Sequence, residues 1–440
     1  MPAIAKILIV FAGTLLAARL RVQLGVALVL GGVALTFWAG APAPQAAANL
    51  WYALRDADLW LLLIITVLIE MCRFVTEGRN ARELMAAVQR WGGRHGRAAS
   101  LMGLPAVIGL IPMAAGALLS APFVKEASAG TERTAEWKSA VNYWFRHVWE
   151  YWWPLYPGVI MAMSIFGMDT LRFVSTQIVF TPVTIAAGYF FLIRPHLGLL
   201  TTATSPGEGS NRRAFLVMLP LLIIVAAMTI LPYPLKALLP DVSPQNRRLL
   251  AVMFGLFAGL AMIFVDERRA RRSGVGEADG TGGPGRMFST LFQWNSLSLL
   301  LTLAGGLLFK SFMDRSGLLP LAARELVGSG IPVEAIVAGL PFLAGMVTGL
   351  TVGFVGPAFP LVVGLMQAPG SGLTPLATLT LAYGFGYAGM MLSPVHLCLL
   401  MTNQFFRSSP TAVYRLFVPC EAVVMLYALA AHLVLKLLGW

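Results

Sequence analysis

The sequence predicts an all-α polytopic membrane protein with about ten transmembrane helices and two re-entrant helical hairpins, arranged as two inverted-topology repeats. Three observations predict this fold: an apolar composition, recurring apolar runs of membrane length, and a repeated order of Gly- and Pro-rich segments. Of the 440 residues, 58% are hydrophobic and only 12% are charged. Soluble proteins carry about 25% charged residues. The composition therefore indicates a multi-pass membrane protein.

Apolar runs of about 18 or more residues, each long enough to cross a bilayer, recur along the whole chain. We interpret ten as spans, at residues 3–18, 22–40, 58–75, 143–167, 172–193, 214–233, 248–265, 290–309, 383–404 and 411–438. The apolar stretches 98–124 and 334–367 are rich in Gly and Pro and predict re-entrant hairpins instead. The stretch 76–97 predicts an amphipathic surface helix, and the charged, then Gly-rich loop 266–289 predicts a flexible cytoplasmic linker.

The distribution of basic residues predicts on which side of the membrane each loop lies. With both termini outside, 21 of the 32 Lys and Arg residues fall in cytoplasmic loops and 10 fall outside, while Arg146 lies within a segment. Cytoplasmic loops of membrane proteins carry the excess of Lys and Arg. The net charge of +12 is thus a topology signal, and no nucleic-acid partner is expected.

The two hairpin segments resemble each other. "GLPAVIGLIPMAAGALLSAPFV" at 103–124 is echoed by "GLPFLAGMVTGLTVGFVGPAFPLV" at 339–362. In the threading the first hairpin enters from the cytoplasm and the second from outside. The chain is therefore expected to consist of a first repeat (1–200), a cytoplasmic linker (201–213) and an inverted second repeat (214–440).

About thirty residues after each hairpin comes a span interrupted by proline. Pro154 and Pro157 break "EYWWPLYPGVIM", and Pro394 breaks "GMMLSPVHLCLL". Proline removes a backbone donor and ends or kinks a helix, and a broken helix at membrane depth is tolerated only where protein or a water-filled cavity receives the freed backbone groups. We expect Ser393 to be an N-cap with Pro394 at the first helical position. Inverted repeats with paired broken helices indicate a transporter site, whose half-helix N-termini suit an anion.

Two residues beside the breaks are candidates for ion coupling. A carboxyl at the depth of Glu150 is costly and usually functional, although it could instead pair with Arg146 four residues earlier. His396 could carry a proton or simply bond to a backbone carbonyl. Glu421, deep in the last span, is expected to pair inside the helix bundle.

The hairpin tips, placed near 112–120 and 348–356, and the helix ends are expected to supply the substrate contacts. The candidates share small or hydroxyl- and amide-bearing side chains: Ser120, Thr348, Thr351, Gly116, Gly353, Asn142, Ser393 and Asn403. Close helix packing is the alternative role for the glycines, and helix capping is the alternative for the two asparagines.

Other chemistry is not indicated. "GFGYAG" at 384–389 has the letters of a dinucleotide fingerprint but no preceding strand, so it predicts helix packing. No His/Cys cluster shows metal-ligand spacing and no catalytic motif occurs, so no metal, cofactor or enzymatic activity is predicted. A coupling Na⁺ or H⁺ remains open.

The segments "NYWFRHVWEYWWPLYPG" (142–158) and "AGALLSAPFVKE" (115–126) resemble a prokaryotic membrane family known as domain of unknown function 401. That family is similar to the ion transporter superfamily of elevator-type anion transporters. The resemblance implies a homodimer in the bacterial or archaeal cytoplasmic membrane that holds its substrate between hairpin tips and broken helices. The chain lacks the Ser-Asn-Thr tip motifs of the dicarboxylate branch, which leaves sodium coupling and a dicarboxylate substrate open.

The leading function predicted from the sequence is therefore a secondary active transporter for a small, carboxylate-like organic anion, driven by H⁺ or Na⁺. A carrier for a lipid-linked or amphipathic anion is the nearest alternative. A channel would leave the opposed hairpins unexplained, and a membrane-embedded enzyme would need convergent catalytic groups where the sequence offers scattered carboxyls.

Overall fold

The computed structural model describes residues 1–55, 96–112, 116–200, 210–272, 294–328 and 330–440, with four positions between 83 and 90. Every regular element among these residues is a helix. The first half contains α1 (Ala3–Arg19), α2 (Leu24–Trp38), α3 (Ala43–Leu54), α4 (Gly96–Gly109), α5 (Ala117–Ala127), α6 (Ala135–Arg146), α7 (Pro157–Phe166), α8 (Thr170–Gln177) and α9 (Phe180–Gly188), then a π-helical turn (Tyr189–Ile193) and a 3-10 turn (Arg194–Leu199).

The second half follows with ten helices in the described residues. They are α10 (Asn211–Ile230), α11 (Pro232–Leu238), α12 (Pro244–Arg272), α13 (Trp294–Arg315), α14 (Leu318–Gly328), α15 (Val333–Thr348), α16 (Thr351–Met366), α17 (Pro375–Met391), α18 (Leu397–Phe406) and α19 (Pro410–Leu437). The linker predicted at 266–289 begins later than expected, because α12 continues to Arg272. The predicted span 58–75, most of the surface helix 76–97 and linker residues 201–209 lie outside the described residues.

Four helical segments of the described residues are long and apolar enough to cross a membrane on their own: Thr170–Gly198, Asn211–Ile230, Asn246–Val265 and Pro410–Leu437. Shorter apolar helices include the two arms of the second hairpin and the second half of each broken segment. The sequence prediction of an all-helical, multi-pass membrane protein is confirmed at this level.

Both proline-bearing spans are interrupted, as predicted. The first consists of α6 and α7 with residues 147–156 between them, and the second of α17 and α18 with residues 392–396 between them. Pro157 occupies the first position of α7. Pro394 does not occupy the equivalent position, because α18 begins at Leu397 with His396 as its N-cap residue. The predicted Ser393 cap is wrong because α18 begins four residues after Ser393. The Ser393 hydroxyl accepts from the N–H of Val395 at 3.3 Å and donates to the carbonyl of Met346 in the second hairpin at 2.7 Å.

Two helical hairpins lie where the sequence predicts them. In the second, α15 and α16 are joined at Gly349, whose φ of +65° favours glycine. A Cβ atom at Gly349 would lie 2.9 Å from the backbone nitrogen of His396, so this tip rests on the second break. In the first, α4 ends at Gly109, where a Cβ would lie 2.0 Å from the carbonyl oxygen of Arg146. Each hairpin thus approaches a break closely enough to require glycine.

The two hairpins pack reciprocally on the two broken segments. The first arm of each hairpin lies on the first half of the broken segment in the same half of the chain, α4 on α6 and α15 on α17. The second arm contacts that half-segment too, and it also contacts the second half of the broken segment in the other half of the chain: α5 packs on α18 and α16 packs on α7. This exchange brings both breaks to the same place in the molecule.

Candidate functional site

The two breaks meet in a buried polar cluster, which we define as Arg146, His147, Glu150, His396 and Cys398. Its five side chains are all at most 6% exposed. Arg146 is the last residue of α6, and His147 and Glu150 lie in the irregular segment that follows. His396 and Cys398 lie at the start of α18. The cluster therefore joins residues that are about 250 positions apart in sequence.

Arg146 and Glu150 form the ion pair of this cluster. Nη1 of Arg146 lies 3.2 Å from Oε1 of Glu150, and Nε2 of His147 lies 3.8 Å from the same oxygen. A buried charge is costly unless it is paired. The ion pair between Arg146 and Glu150, which was the alternative role predicted for Glu150, is therefore present. It does not exclude a coupling role, because the same carboxylate faces two histidines.

The orientation of His147 is fixed by the backbone. Its Nδ1 lies 2.6 Å from the carbonyl oxygen of Tyr143, and a carbonyl can only accept a hydrogen bond. Nδ1 therefore carries the proton, and Nε2 of neutral His147 presents its lone pair to the cluster. That lone pair faces Nε2 of His396 at 3.2 Å. The second nitrogen of His396, Nδ1, has no hydrogen-bond partner among the described residues.

Tyrosines from the second half of the chain donate hydrogen bonds to the backbone carbonyls that the first break frees. Tyr387 donates its hydroxyl to the carbonyl of His147 at 3.0 Å, and Tyr383 donates to the carbonyl of Glu150 at 2.9 Å. In return, Tyr143 donates to the carbonyl of Met391 at the second break, at 2.9 Å. A buried carbonyl without a partner costs about 1–3 kcal/mol. These phenols explain how a broken helix persists inside the protein.

The "GFGYAG" segment of α17 has the packing role predicted from sequence, while Tyr387 within it and Tyr383 just before it have a polar role that the sequence reasoning missed. A Cβ at Gly389 would lie 2.0 Å from the carbonyl oxygen of Phe342 in α15, and one at Gly386 would lie 2.4 Å from the ring of Phe354 in α16. Glycine therefore lets α17 touch both arms of the second hairpin. The hydroxyls of Tyr383 and Tyr387 then reach the first break.

The first-hairpin candidates lie beside α6 and α18. Ser120 is buried, and its hydroxyl donates to the carbonyl of Ala117 at 3.2 Å. Asn142 donates to the same carbonyl at 2.8 Å and to the hydroxyl of Thr402 at 3.2 Å. It lies inside α6 and is not a helix cap, and its Oδ1 is buried without a hydrogen-bond partner in the described part of the chain. Gly116 is the N-cap residue of α5.

The second-hairpin candidates lie beside α7 and α17. The Thr351 hydroxyl is 3.3 Å from Sδ of Met390, and its methyl group faces Gly158 at the start of α7. Thr348 donates to the carbonyl of Ala344 at 2.7 Å. A Cβ at Gly353 would lie 2.2 Å from the Thr348 hydroxyl oxygen, so the packing role holds for that glycine. The hydroxyls of Ser120 and Thr351 face different helices.

Two further polar side chains complete the predicted set. Asn403 accepts a hydrogen bond from the Ser408 hydroxyl at 3.0 Å, while its Nδ2 is buried without a partner among the described residues. Glu421 is 1% exposed, and neither carboxyl oxygen has a hydrogen-bond partner there. The expectation that Glu421 pairs inside the bundle is therefore wrong.

Residues 21–242 and 286–435 match the family described as "Protein of unknown function (DUF401)". The comparison with curated proteins gave no significant match. Among solved structures, the fold is similar to that of the Alcanivorax borkumensis YdaH transporter, whose topology is described as unusual. The TM-score is 0.57 and the sequence identity 12%, with 90% of this chain and 87% of the other covered. At that identity the likeness shows the fold alone.

Proposed function

The chain belongs to the family described as "Protein of unknown function (DUF401)", and from its fold and its buried polar cluster we propose that it is a proton-coupled secondary transporter of small organic anions in the cytoplasmic membrane. The similar structure is that of a transporter, which supports transport as the class of function. Because one fold can host many functions, the polar cluster has to carry the more specific proposal.

The reciprocal packing of the hairpins supports an architecture of two inverted repeats with about ten spans. Each element of the first half that touches a break has a counterpart in the second half: α4 and α15, α5 and α16, α6 and α17, α7 and α18. Paired broken helices at a repeat interface are typical of substrate sites in secondary transporters. The body formed by these eight helices is the part that we propose to move in an elevator-type mechanism.

The observation that carries the anion proposal is the Arg146–Glu150 pair. Arg146 is the cation of the cluster, and its planar guanidinium matches a carboxylate better than any other side chain does. In the observed state the carboxylate of Glu150 occupies it at 3.2 Å. A substrate carboxylate would compete with Glu150 for the same guanidinium. Whichever of these two carboxylates binds, the other loses its cationic partner.

Protonation of Glu150 resolves this competition. A neutral carboxyl no longer neutralises Arg146, so the guanidinium becomes available to an incoming anion and the buried site keeps a balanced charge. Release of the proton returns Glu150 to Arg146 and expels the anion. The proton and the anion therefore bind together, which is the requirement for symport. His147 and His396 line the route by which the proton reaches Oε1 of Glu150.

Uptake by proteoliposomes tests the proposal. Purified protein is first screened for small carboxylates that raise its melting temperature, because a ligand of the native state stabilises it. A stabilising anion should then accumulate in vesicles that are more acidic outside than inside. Arg146→Lys keeps the charge but loses the planar fork and should abolish uptake. The matched control is Arg247→Lys in α12, where the guanidinium bonds to the carbonyl of Leu239. Normal uptake by the Arg146→Lys variant would refute the anion site.

A further inference from the structure

Three metal-binding side chains meet inside the buried polar cluster. Nε2 of His147, a ring nitrogen of His396 and Sγ of Cys398 all lie within 4.8 Å of one another. They come from both breaks, so no spacing within either motif indicates them. We propose that these three side chains bind a transition-metal ion, with Zn²⁺ as the best fit. This proposal concerns metal binding and does not depend on transport.

The spacing of the donor atoms suits a tetrahedral ion. Zn–N bonds of about 2.0–2.1 Å and Zn–S bonds of about 2.3 Å place the donors of a tetrahedral site roughly 3.3–3.6 Å apart. The two Nε2 atoms of His147 and His396 are already 3.2 Å apart. Bringing the widest pair from 4.8 Å to that separation takes a shift of about 1 Å, within reach of side-chain rotation at a break.

Two of the groups around the donors favour a cation, whereas Nη1 of Arg146 lies 3.4 Å from Nε2 of His147 and has to give way to the metal. The carbonyl of Tyr143 accepts the Nδ1 proton of His147, which turns a lone pair of Nε2 inward. Such a carbonyl partner is typical of histidines that bind metals. Cys398 is the second residue of α18, and a helix N-terminus favours the thiolate, the form of cysteine that binds metal. The cluster thus presents two imidazoles and a thiolate in a water-poor site, a donor set that selects zinc or copper over magnesium or calcium.

The net charge of the metal-loaded cluster is compatible with a fourth, anionic ligand. Zn²⁺ with the Cys398 thiolate, the Glu150 carboxylate and the Arg146 guanidinium sums to one positive charge. Three protein ligands with one open position are characteristic of zinc sites that bind an exchangeable ligand. Glu150 Oε1, 3.8 Å from His147 Nε2, or an anion from outside could take that position. A proton shared between the two histidines is the competing explanation for their short separation.

Cobalt substitution separates these explanations. The full-length protein in detergent is stripped with a chelator and titrated with Co²⁺, whose bond to a thiolate gives a near-ultraviolet charge-transfer band. The wild type should bind one Co²⁺ per chain with that band, and Zn²⁺ should displace it. The band should disappear in Cys398→Ser and persist in the matched control Cys420→Ser, since Cys420 is buried in α19 and its thiol faces the carbonyl of Ala187.

The variants also separate metal binding from loss of folding. Each must elute as a single species and keep a cooperative melting transition. Should Cys398→Ser fail this check, His396→Gln provides the second test, because it keeps the thiolate and should weaken Co²⁺ binding while leaving the band. Absence of stoichiometric binding by the wild type, or an unchanged band in Cys398→Ser, would overturn the metal site and favour the shared proton. Neither outcome bears on anion uptake, which is measured without added metal.

Discussion

Replacing Glu150 by glutamine tests the competition between this carboxylate and the transported anion. In the proposed mechanism, the anion binds Arg146 only when Glu150 takes up a proton. Glutamine has nearly the same shape but is permanently neutral, so the variant needs no proton to bind the anion. The buried geometry of the pair, with 3.2 Å between Nη1 of Arg146 and Oε1 of Glu150, makes the expected effect large.

The magnitude follows from the cost of removing the carboxylate partner from a buried ion pair. Removing one partner of a buried ion pair costs about 3–5 kcal/mol, so Glu150→Gln should lower the stability of the empty protein by up to that amount. The anion restores a partner to Arg146. Its affinity should therefore rise, by at most about 150- to 5,000-fold when the same free energy is expressed as a ratio of dissociation constants.

The pH dependence gives the sign of the effect. Binding linked to the uptake of one proton weakens by about tenfold for each unit of rising pH, while the empty site holds Glu150 ionised. Glu150→Gln should remove this slope. Calorimetric titration of a stabilising anion at several pH values measures both quantities. Glu334→Gln is the matched control, because Glu334 pairs with Lys436 at the half-exposed rim, outside the cluster.

A wild-type slope that persists in Glu150→Gln would refute the coupling role of this residue. The proton would then be bound elsewhere, and His396 would be the next candidate. Tighter anion binding without loss of the slope would show that Glu150 competes for Arg146 but does not carry the proton. Each result leads to a different assignment within the same cluster.

Three further predictions address the surroundings of the site. Tyr387→Phe should lower the free energy of unfolding by about 1–3 kcal/mol in thermal melts, because the carbonyl of His147 loses its donor; an unchanged melt would show that this hydrogen bond contributes nothing. Glu421→Leu should raise the melting temperature, because it removes a buried carboxyl that has no partner among the described residues; a lower one would indicate an ion or ligand on Glu421. Single cysteines at Glu126 and Gln367, at the ends of the two hairpins, should react with impermeant reagents from opposite sides of the membrane. Labelling from the same side would contradict the inverted repeats.

The elements that the sequence predicts well are those with local causes. Apolar runs indicate spans because the bilayer has a fixed thickness, and the hairpin ranges 98–124 and 334–367 agree within a few residues with the described helices. Pro154, Pro157 and Pro394 mark the breaks because proline removes a backbone donor, but proline alone is not sufficient, since Pro357 and Pro360 lie inside the continuous helix α16. None of these predictions depends on the tertiary contacts of a residue.

The composition of the site could not be predicted in this way. His147 and His396 meet across 249 positions of sequence, and Cys398 joins them because its helix α18 packs against α5 of the other half of the chain. Ser393 was expected to cap its own helix, but α18 begins at Leu397, and the Ser393 hydroxyl donates to the carbonyl of Met346, which only the packed hairpin provides. One local signal was available. Tyr383 and Tyr387 stand among small residues in the apolar helix α17, and buried tyrosine hydroxyls need hydrogen-bond partners.

The hydrogen bonds across the breaks also determine what can move. Tyr387 and Tyr383 of α17 hold the first break, and Tyr143 of α6 holds the second. Sliding one broken segment past the other would leave these carbonyls unpaired in an apolar interior, at about 1–3 kcal/mol each. The two segments and their hairpins therefore have to move as one rigid body if they move at all. In the proposed transporter, alternating access then comes from displacement of this body against the remaining helices. The body carries the Arg146–Glu150 pair when the site is empty, and it carries protonated Glu150 with the anion on Arg146 when the site is loaded.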